Sequence, residues 1–304
     1  MQRIRSQSGW VLGGSGFLGR ALVESAQDAG LRVSSVSRHP QRSSANPIRL
    51  DLDSPQDELE RTLEAECPDW LVNCAALAAA ADCEREPELA KRLNAALPAR
   101  LGQICQALGI RLLHLSTDNV FDGETPRPTG YIEEDTARPL SVYGTTKREG
   151  ELALLAQNPD ALIVRLPLLY GDSRGTGAGA SDSLLAAIAR GARPRLFTDE
   201  FRTPLDVQQA ARALLEWIPS SLNGLLHLAG PQRLTRFELG ERIVAAAGLA
   251  LTSIEAARQT DVPCVPPRPR DLTLDGSRAL ASLSFCPTNP WDDPGNSLQG
   301  GSTP

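Results

Sequence analysis

Residues 9–38, GWVLGGSGFLGRALVESAQDAGLRVSSVSR, decide how this chain folds. A short apolar run, Trp10 to Leu12, meets glycines at 13, 16 and 19. An amphipathic stretch from Phe17 then closes near Gly30, and a β-rich run follows from Arg32 to Val36. Strand, glycine turn, helix and strand in that order predict a dinucleotide-binding unit. Gly13 permits the tight turn, Gly16 lets a pyrophosphate approach the backbone, and Gly19 lets the helix pack on the strand. The free N–H groups and the dipole at the helix start favour a phosphate, so Ser15, Phe17 and Leu18 join the three glycines as expected cofactor contacts.

At the end of the second strand, where NAD-type sites carry an acid for the ribose 2′-hydroxyl, the chain has Ser37, Arg38 and His39. No carboxylate stands in that triplet to repel a 2′-phosphate, and a guanidinium stands there to bind one. NADPH is the expected cofactor, with NADH the alternative. Strands and helices then alternate. Ile48 to Leu50 ends in Asp51 and Leu52; Ser54-Pro55 opens a helix running through Glu66; Trp70 to Cys74 ends in the small pair Ala75-Ala76. A helical run from Glu86 to Leu108 should kink at Pro98, and Arg111 to Leu115 reads as a buried strand. Such alternation predicts an α/β fold, a doubly wound parallel Rossmann sheet covered on both faces. Ligands gather at the carboxyl ends of such strands, which places Asp51, Leu52, Cys74, Ala75, Ala76 and Ser116 near the cofactor, together with Leu166 and Pro167 after the strand Ala161 to Leu166. His114 and His227 lie inside apolar strands and read as core.

The chemistry is expected in residues 115–151, which hold Ser116-Thr117 and then Tyr143 and Lys147 in a YxxxK spacing. Residues four apart share a helix face, so phenol and ammonium converge. A nearby cation is expected to lower the phenol from its usual pKa of about 10 and to make Tyr143 a general acid or base. Ser141 is the expected cap of that helix, which should run from Tyr143 to Leu155.

The length of 304 residues allows one large or two modest domains; the net charge of −6 gives no footprint for nucleic acid. The mean hydropathy of −0.22 and the lack of a long apolar span argue against a membrane protein, and the N-terminal residues do not read as a signal peptide. Six cysteines without CxxC pairs suggest free thiols in a reducing cytoplasm, and no cluster of metal ligands is visible.

Beyond Gly171 the character changes. Residues 172–181, DSRGTGAGAS, suggest a mobile substrate loop. Helices Asp182 to Arg190, Val207 to Trp217 and Phe237 to Ala247 and a strand Leu225 to Leu228 follow. Residues 263–270, PCVPPRPR, have a linker's composition, although Arg268 and Arg270 there suit a diphosphate. Residues 286–304 lack core-forming residues and are expected to be disordered.

The motifs GGSGFLG, NCAA, Asn94, STDNVFDG, PLSVYGTTKREGE, RLPLLYG, FRTPLDV, GLLHLAG and RPRDLTLDGSRAL together resemble the extended short-chain dehydrogenase/reductases, in the dTDP-4-dehydrorhamnose reductase family. The resemblance implies a Rossmann domain, residues 1–171 with 200–230 packing back on it, and a smaller C-terminal α/β substrate-binding domain, residues 172–199 and 231–285. It implies that Thr117, Tyr143 and Lys147 are catalytic, that Asn94 belongs to the cofactor site, and that Asp118, Asn119, Leu168, Arg202 and Arg268 face a nucleotide sugar. It admits a homodimer.

This chain departs from the family's pattern at Asn119, where a tyrosine is usual, and at Leu168, where a tryptophan is. Both positions would face the sugar, so the substrate is expected to differ while the carbonyl reduction stays. Two other roles are consistent with the sequence. The segments RLPLLYG and RPRDLTLD are similar to those of the regulatory β subunit of methionine adenosyltransferase, a non-catalytic NADP-binding partner. A sugar-nucleotide dehydratase or epimerase is the other, but dehydratases need an Asp-Glu pair where this chain has Asp118-Asn119.

Overall fold

A computed structural model describes residues 7–40, 46–53, 57–124, 127–173, 179–262, 264 and 266–292. Seven parallel strands form the central sheet: β1 (Ser8–Leu12), β2 (Arg32–Ser37), β3 (Pro47–Arg49), β4 (Trp70–Asn73), β5 (Arg111–Thr117), β6 (Leu162–Leu166) and β7 (Gly224–His227). Their spatial order is β7-β6-β5-β4-β1-β2-β3. The reversal beside β1 creates the crevice at which doubly wound sheets bind ligands.

Among the described residues, the α-helices of five residues or more are α1 (Phe17–Asp28), α2 (Asp57–Glu66), α3 (Ala80–Arg85), α4 (Pro87–Lys91), α5 (Leu97–Leu108), α6 (Val142–Gln157), α7 (Ala180–Ala189), α8 (Val207–Trp217) and α9 (Arg236–Ala246). On one face of the sheet, Leu22 and Ala26 of α1 and Ala210, Leu214 and Trp217 of α8 pack over Val11, Val72 and Val164. On the other, Leu59 and Leu63 of α2 and Leu101 and Cys105 of α5 cover Trp10, Leu12, Leu71 and Leu112. Alternate residues of each strand thus serve opposite cores, which is why these strands read as continuous apolar runs.

The helical run after Glu86 is irregular one turn earlier than Pro98. Residues 92–96 form a wider π turn in which Leu97 N–H donates to Arg92 O. Pro98 has no N–H to offer the Asn94 carbonyl four residues back. That carbonyl instead faces α6 at Gly150, where a Cβ would lie 2.1 Å from it. The same helix approaches Asn119 at Gly144, whose Cβ would lie 2.1 Å from the Asn119 carbonyl. Two glycines on α6 therefore let the helix settle onto the sheet edge with Tyr143 and Lys147 aboard. Ser141 caps it, its Oγ accepting from Gly144 N–H at 3.1 Å.

Around Tyr170, side chains of α7 and α9 form a separate small core with Leu184, Leu239, Ile243 and Ile254. Two compositional expectations fail near the C-terminus. The described residues of the PCVPPRPR segment end in a docked strand-like piece, where Phe201 N–H donates to Arg270 O at 2.8 Å. Residues 286–292, expected to lack structure, pack on the domain. Trp291 stacks on Tyr170 at 4.9 Å, Tyr170 donates to Asn289 at 3.2 Å, and Gln209 donates to the Thr288 carbonyl at 2.6 Å. One tryptophan with an aromatic partner outweighs the polar composition around it. The expected helix opening at Ser54-Pro55, residues 174–178 of the glycine-rich loop, and residues 293–304 of the tail lie outside the described residues.

Candidate functional site

Gly13 adopts φ +74°, and its N–H donates to the Val36 carbonyl at 2.8 Å, so the chain turns tightly from β1 into α1. A Cβ on Gly19 would lie 2.2 Å from the Gly13 carbonyl oxygen, which is why the first turn of α1 carries glycine there. Two connected hollows follow the carboxyl ends of the strands. One, of about 270 Å³, is lined by Gly13, Ser15, Gly16, Ser37, Arg38, Asp51, Leu52, Cys74, Ala75 and Ala76. The other, of about 180 Å³, is lined by Gly16, Phe17, Leu18, Gly19, Cys74, Ala76, Ser116, Thr117, Tyr143, Lys147, Leu166 and Pro167. The expected cofactor residues thus come together, with one exception. Asn94 is fully buried and in neither wall; its amide donates to the Leu77 carbonyl and Thr146 Oγ1 and accepts from Leu77 N–H. It ties α4–α5 to α6 and supports the site from behind.

These hollows fit a dinucleotide. The Gly13–Gly19 turn exposes backbone at a helix start, Ala75 and Ala76 keep the floor shallow, and Ser37 Oγ is buried with no hydrogen-bond partner among the described residues. Arg38 is exposed at the rim. Asp51 and Asp53 line the same hollow, acids that the triplet Ser37-Arg38-His39 does not reveal. Asp53 is engaged by Arg92 through bonds of 2.7 and 3.1 Å, and this pairing holds its carboxyl below the usual range.

Thr117, Tyr143 and Lys147 meet in the second hollow, but not with the electrostatics expected from spacing. Burial pushes the Tyr143 phenol up to about 12, against a hydrogen bond from Thr117. Lys147 does not offset this. Its Nζ donates to the Leu115 carbonyl at 2.6 Å and lies 3.4 Å from His114 Nε2. Burial lowers the ammonium to about 8, and burial together with Lys147 holds the His114 imidazole well below its usual range. The phenol is therefore protonated at neutral pH, and the anticipated lowering is corrected. Ser116 is also committed elsewhere: its Oγ donates to Glu151 at 2.5 Å.

A third and larger cavity, about 820 Å³, adjoins the second hollow and shares Phe17, Thr117, Tyr143 and Pro167 with it. Asp118, Asn119, Leu168, Arg202 and Arg268 all line it, as expected. Arg270 is exposed and outside its wall. Two residues escaped the sequence reading, Glu200 and Arg236. Glu200 lies 3.3 Å from Arg202, 3.6 Å from Arg268 and 3.9 Å from Arg236. Asp118 pairs with Arg202 at 3.5 Å, and burial pushes its carboxyl up to about 6. Three guanidiniums thus face two carboxylates, leaving a positive excess on one wall. The signals for Glu200 and Arg236 were weak, because Arg236 occupies the first turn of a helix whose capping box, Thr235 and Glu238, already explains the local sequence.

The family described as "RmlD substrate binding domain" matches residues 10–294. The chain is 32% identical to "Probable low-salt glycan biosynthesis reductase Agl14" of Haloferax volcanii, covering 93% of this chain and 95% of that protein. It is 30% identical to a dTDP-4-dehydrorhamnose reductase of Mycolicibacterium smegmatis, over 92% and 81% of the two chains. With "Methionine adenosyltransferase 2 subunit beta" of Rattus norvegicus it shares 29% identity over 95% of this chain and 86% of the other. The fold superimposes with a TM-score of 0.81 on a dTDP-4-dehydrorhamnose reductase of Bacillus anthracis solved in complex with NADP, which is 21% identical, over 92% and 94% of the chains. The parallel sheet, the glycine turn and the matched length agree: this chain belongs to the RmlD substrate binding domain family.

Proposed function

We propose that this protein reduces a keto group on a nucleotide-activated sugar, with NADPH as the reductant. By family it is an NAD(P)-dependent oxidoreductase of the short-chain dehydrogenase/reductase type. The observation that carries the finer reading is the meeting of Thr117 and Tyr143 on the wall shared by the dinucleotide hollow and the large cavity with its arginine excess. A nucleotide diphosphate suits that excess, because Arg202, Arg236 and Arg268 offer more positive charge than Asp118 and Glu200 consume. In this reading residues 172–199 and 231–285 serve the substrate and the sheet with its helices serves the cofactor.

When bound, the reduced nicotinamide supplies a hydride to the carbonyl carbon. Tyr143 donates its phenolic proton to the carbonyl oxygen, so a ketone becomes an alcohol as hydride and proton are both delivered. A phenol held near 12 is fully protonated at neutral pH and suits this direction of reaction. Thr117 hydrogen-bonds the same oxygen as negative charge develops on it. Lys147, fixed by the Leu115 carbonyl, lines the dinucleotide hollow and holds the ribose side of the cofactor.

Arg38 binds the 2′-phosphate from the rim. Arg38→Ala is expected to lower kcat/KM for NADPH about 10-fold or more while sparing that for NADH, the equivalent of one charge-assisted contact. An unchanged ratio of the two values would remove Arg38 from the cofactor site.

The function itself is tested by supplying purified protein and NADPH with a panel of nucleotide 4-keto sugars and following cofactor oxidation. Oxidation that depends on the sugar supports the reading. The similarity to a methionine adenosyltransferase β subunit motivates the contrary outcome: no oxidation with any sugar, together with co-purification of a synthetase.

A further inference from the structure

His114 is a buried titratable group that the proposed reduction does not use, yet it touches Lys147. Its ring nitrogens face different partners: Nδ1 lies 3.0 Å from Asn73 Nδ2, and Nε2 lies 3.4 Å from Lys147 Nζ. Asn73 decides which nitrogen carries the proton. Its Oδ1 accepts from the Ala75 N–H at 3.1 Å, so Nδ2 is the end turned to the ring; the reverse orientation would set an amide NH2 against a backbone N–H. An amide NH2 only donates, so Nδ1 accepts. Burial and Lys147 keep the imidazole neutral, and its one proton then sits on Nε2, facing Nζ. An ammonium has three protons and no lone pair to receive it, whereas an amine has two protons and one lone pair. One proton of the amine goes to the Leu115 carbonyl at 2.6 Å, and the other is available to the dinucleotide hollow that Lys147 lines.

We propose that Asn73 and His114 are positioning residues for Lys147: Asn73 fixes the imidazole with its proton on Nε2, and that N–H favours Lys147 as an amine over an ammonium. The arrangement couples the cofactor floor to the lysine, because the Ala75 N–H that orients Asn73 belongs to the wall of the first hollow. Burial acts on Lys147 in the same direction, lowering the ammonium to about 8. The other titratable groups facing Lys147 are Glu151 on its own helix, Cys74 after β4 and Cys83 on α3, with Tyr143 in the same wall. Of these Glu151 opposes the imidazole, since its negative charge favours the ammonium.

Two NMR measurements on the purified, unliganded protein test it. The chain has three histidines, so a long-range proton–nitrogen correlation reads the His114 tautomer directly, with its signals assigned by their loss in His114→Leu. The expected result is a protonated Nε2 and an unprotonated Nδ1. The chain's lysines are Lys91, exposed on α4, and Lys147, so a titration followed at lysine Cε resolves the second group. In His114→Leu the Lys147 midpoint should rise by about 0.5 to 1 pH unit, because the donor that favours the amine is lost. Asn73→Asp keeps an oxygen for the Ala75 N–H and puts a second one where Nδ2 was; it should move the His114 proton to Nδ1 and raise the Lys147 midpoint as well. A proton on Nδ1 in the unaltered protein, or a Lys147 midpoint that stays or falls in His114→Leu, would overturn the proposal. The tautomer is read on the unaltered chain, so the test stands even if a variant fails to fold. Neither measurement needs turnover, so failure of the reductase reading would be seen separately, as absence of cofactor oxidation.

Discussion

Replacing Tyr143 with phenylalanine is expected to lower kcat for keto-sugar reduction by about 10²- to 10⁴-fold, the usual worth of a positioned general acid. NADPH affinity should stay within a few fold, because the ring remains and only the hydroxyl is removed. The expectation rests on two features of the phenol: it lies on the wall shared by the second hollow and the large cavity, and burial keeps it protonated, near 12. Loss should therefore appear equally in kcat and kcat/KM, the signature of an interaction made at the transition state. Comparable turnover by the variant would show that another group supplies the proton.

The second large effect concerns stability. Glu151 is fully buried on α6 and accepts bonds from Arg165 at 2.8 and 2.7 Å, from Ser116 at 2.5 Å and from Arg148 at 2.8 Å. Arg165 is itself buried on β6, with its guanidinium 5.1 Å from the Phe121 ring centre. Glu151→Ala strands that guanidinium without its counter-charge and should cost about 3–5 kcal/mol, read as a lower denaturation midpoint in urea. Replacing both partners by apolar residues, Glu151→Leu with Arg165→Met, should cost less than the single change. Burial alone would raise the Glu151 carboxyl, but its bonds to Arg165, Ser116 and Arg148 outweigh it and hold the group below its ordinary value. The unfolded chain thus binds this proton more readily than the folded one. The contribution is complete above the unfolded pKa of about 4.3 and is lost as pH falls through the lower folded value. The unaltered protein should accordingly lose stability in acid more steeply than Glu151→Ala, measured as urea midpoints across that range.

The half of the fold that follows local rules was legible in the residues. Gly13 and Gly19 have the conformations and close approaches that a glycine turn between strand and helix demands. The helix Val207–Trp217 and the Ser141 cap were likewise set by nearby residues. What could not be read depends on segments distant in the chain. Glu200, Arg202, Arg236 and Arg268 converge from three separate stretches, so their ion pairs have no signature at any one position. The YxxxK spacing correctly puts Tyr143 and Lys147 on one helix, but the phenol's proton affinity is decided by burial, and the ammonium is engaged by the Leu115 carbonyl of a strand. Pro98 shows the same limit: proline signals a disturbed helix, yet the turn that widens lies before it, where the Asn94 carbonyl meets Gly150.

The central claim is that this chain's own residues join hydride and proton delivery at one sugar carbonyl. Its most direct test is isotope transfer, with NADPH deuterated at the nicotinamide carbon that gives up hydride and a nucleotide 4-keto sugar that the protein turns over. The account predicts deuterium at the former carbonyl carbon of the sugar, from one face of the nicotinamide only, and no such product from Tyr143→Phe. Deuterium retained entirely in the cofactor, or the same labelled product formed at full rate by the variant, would contradict it.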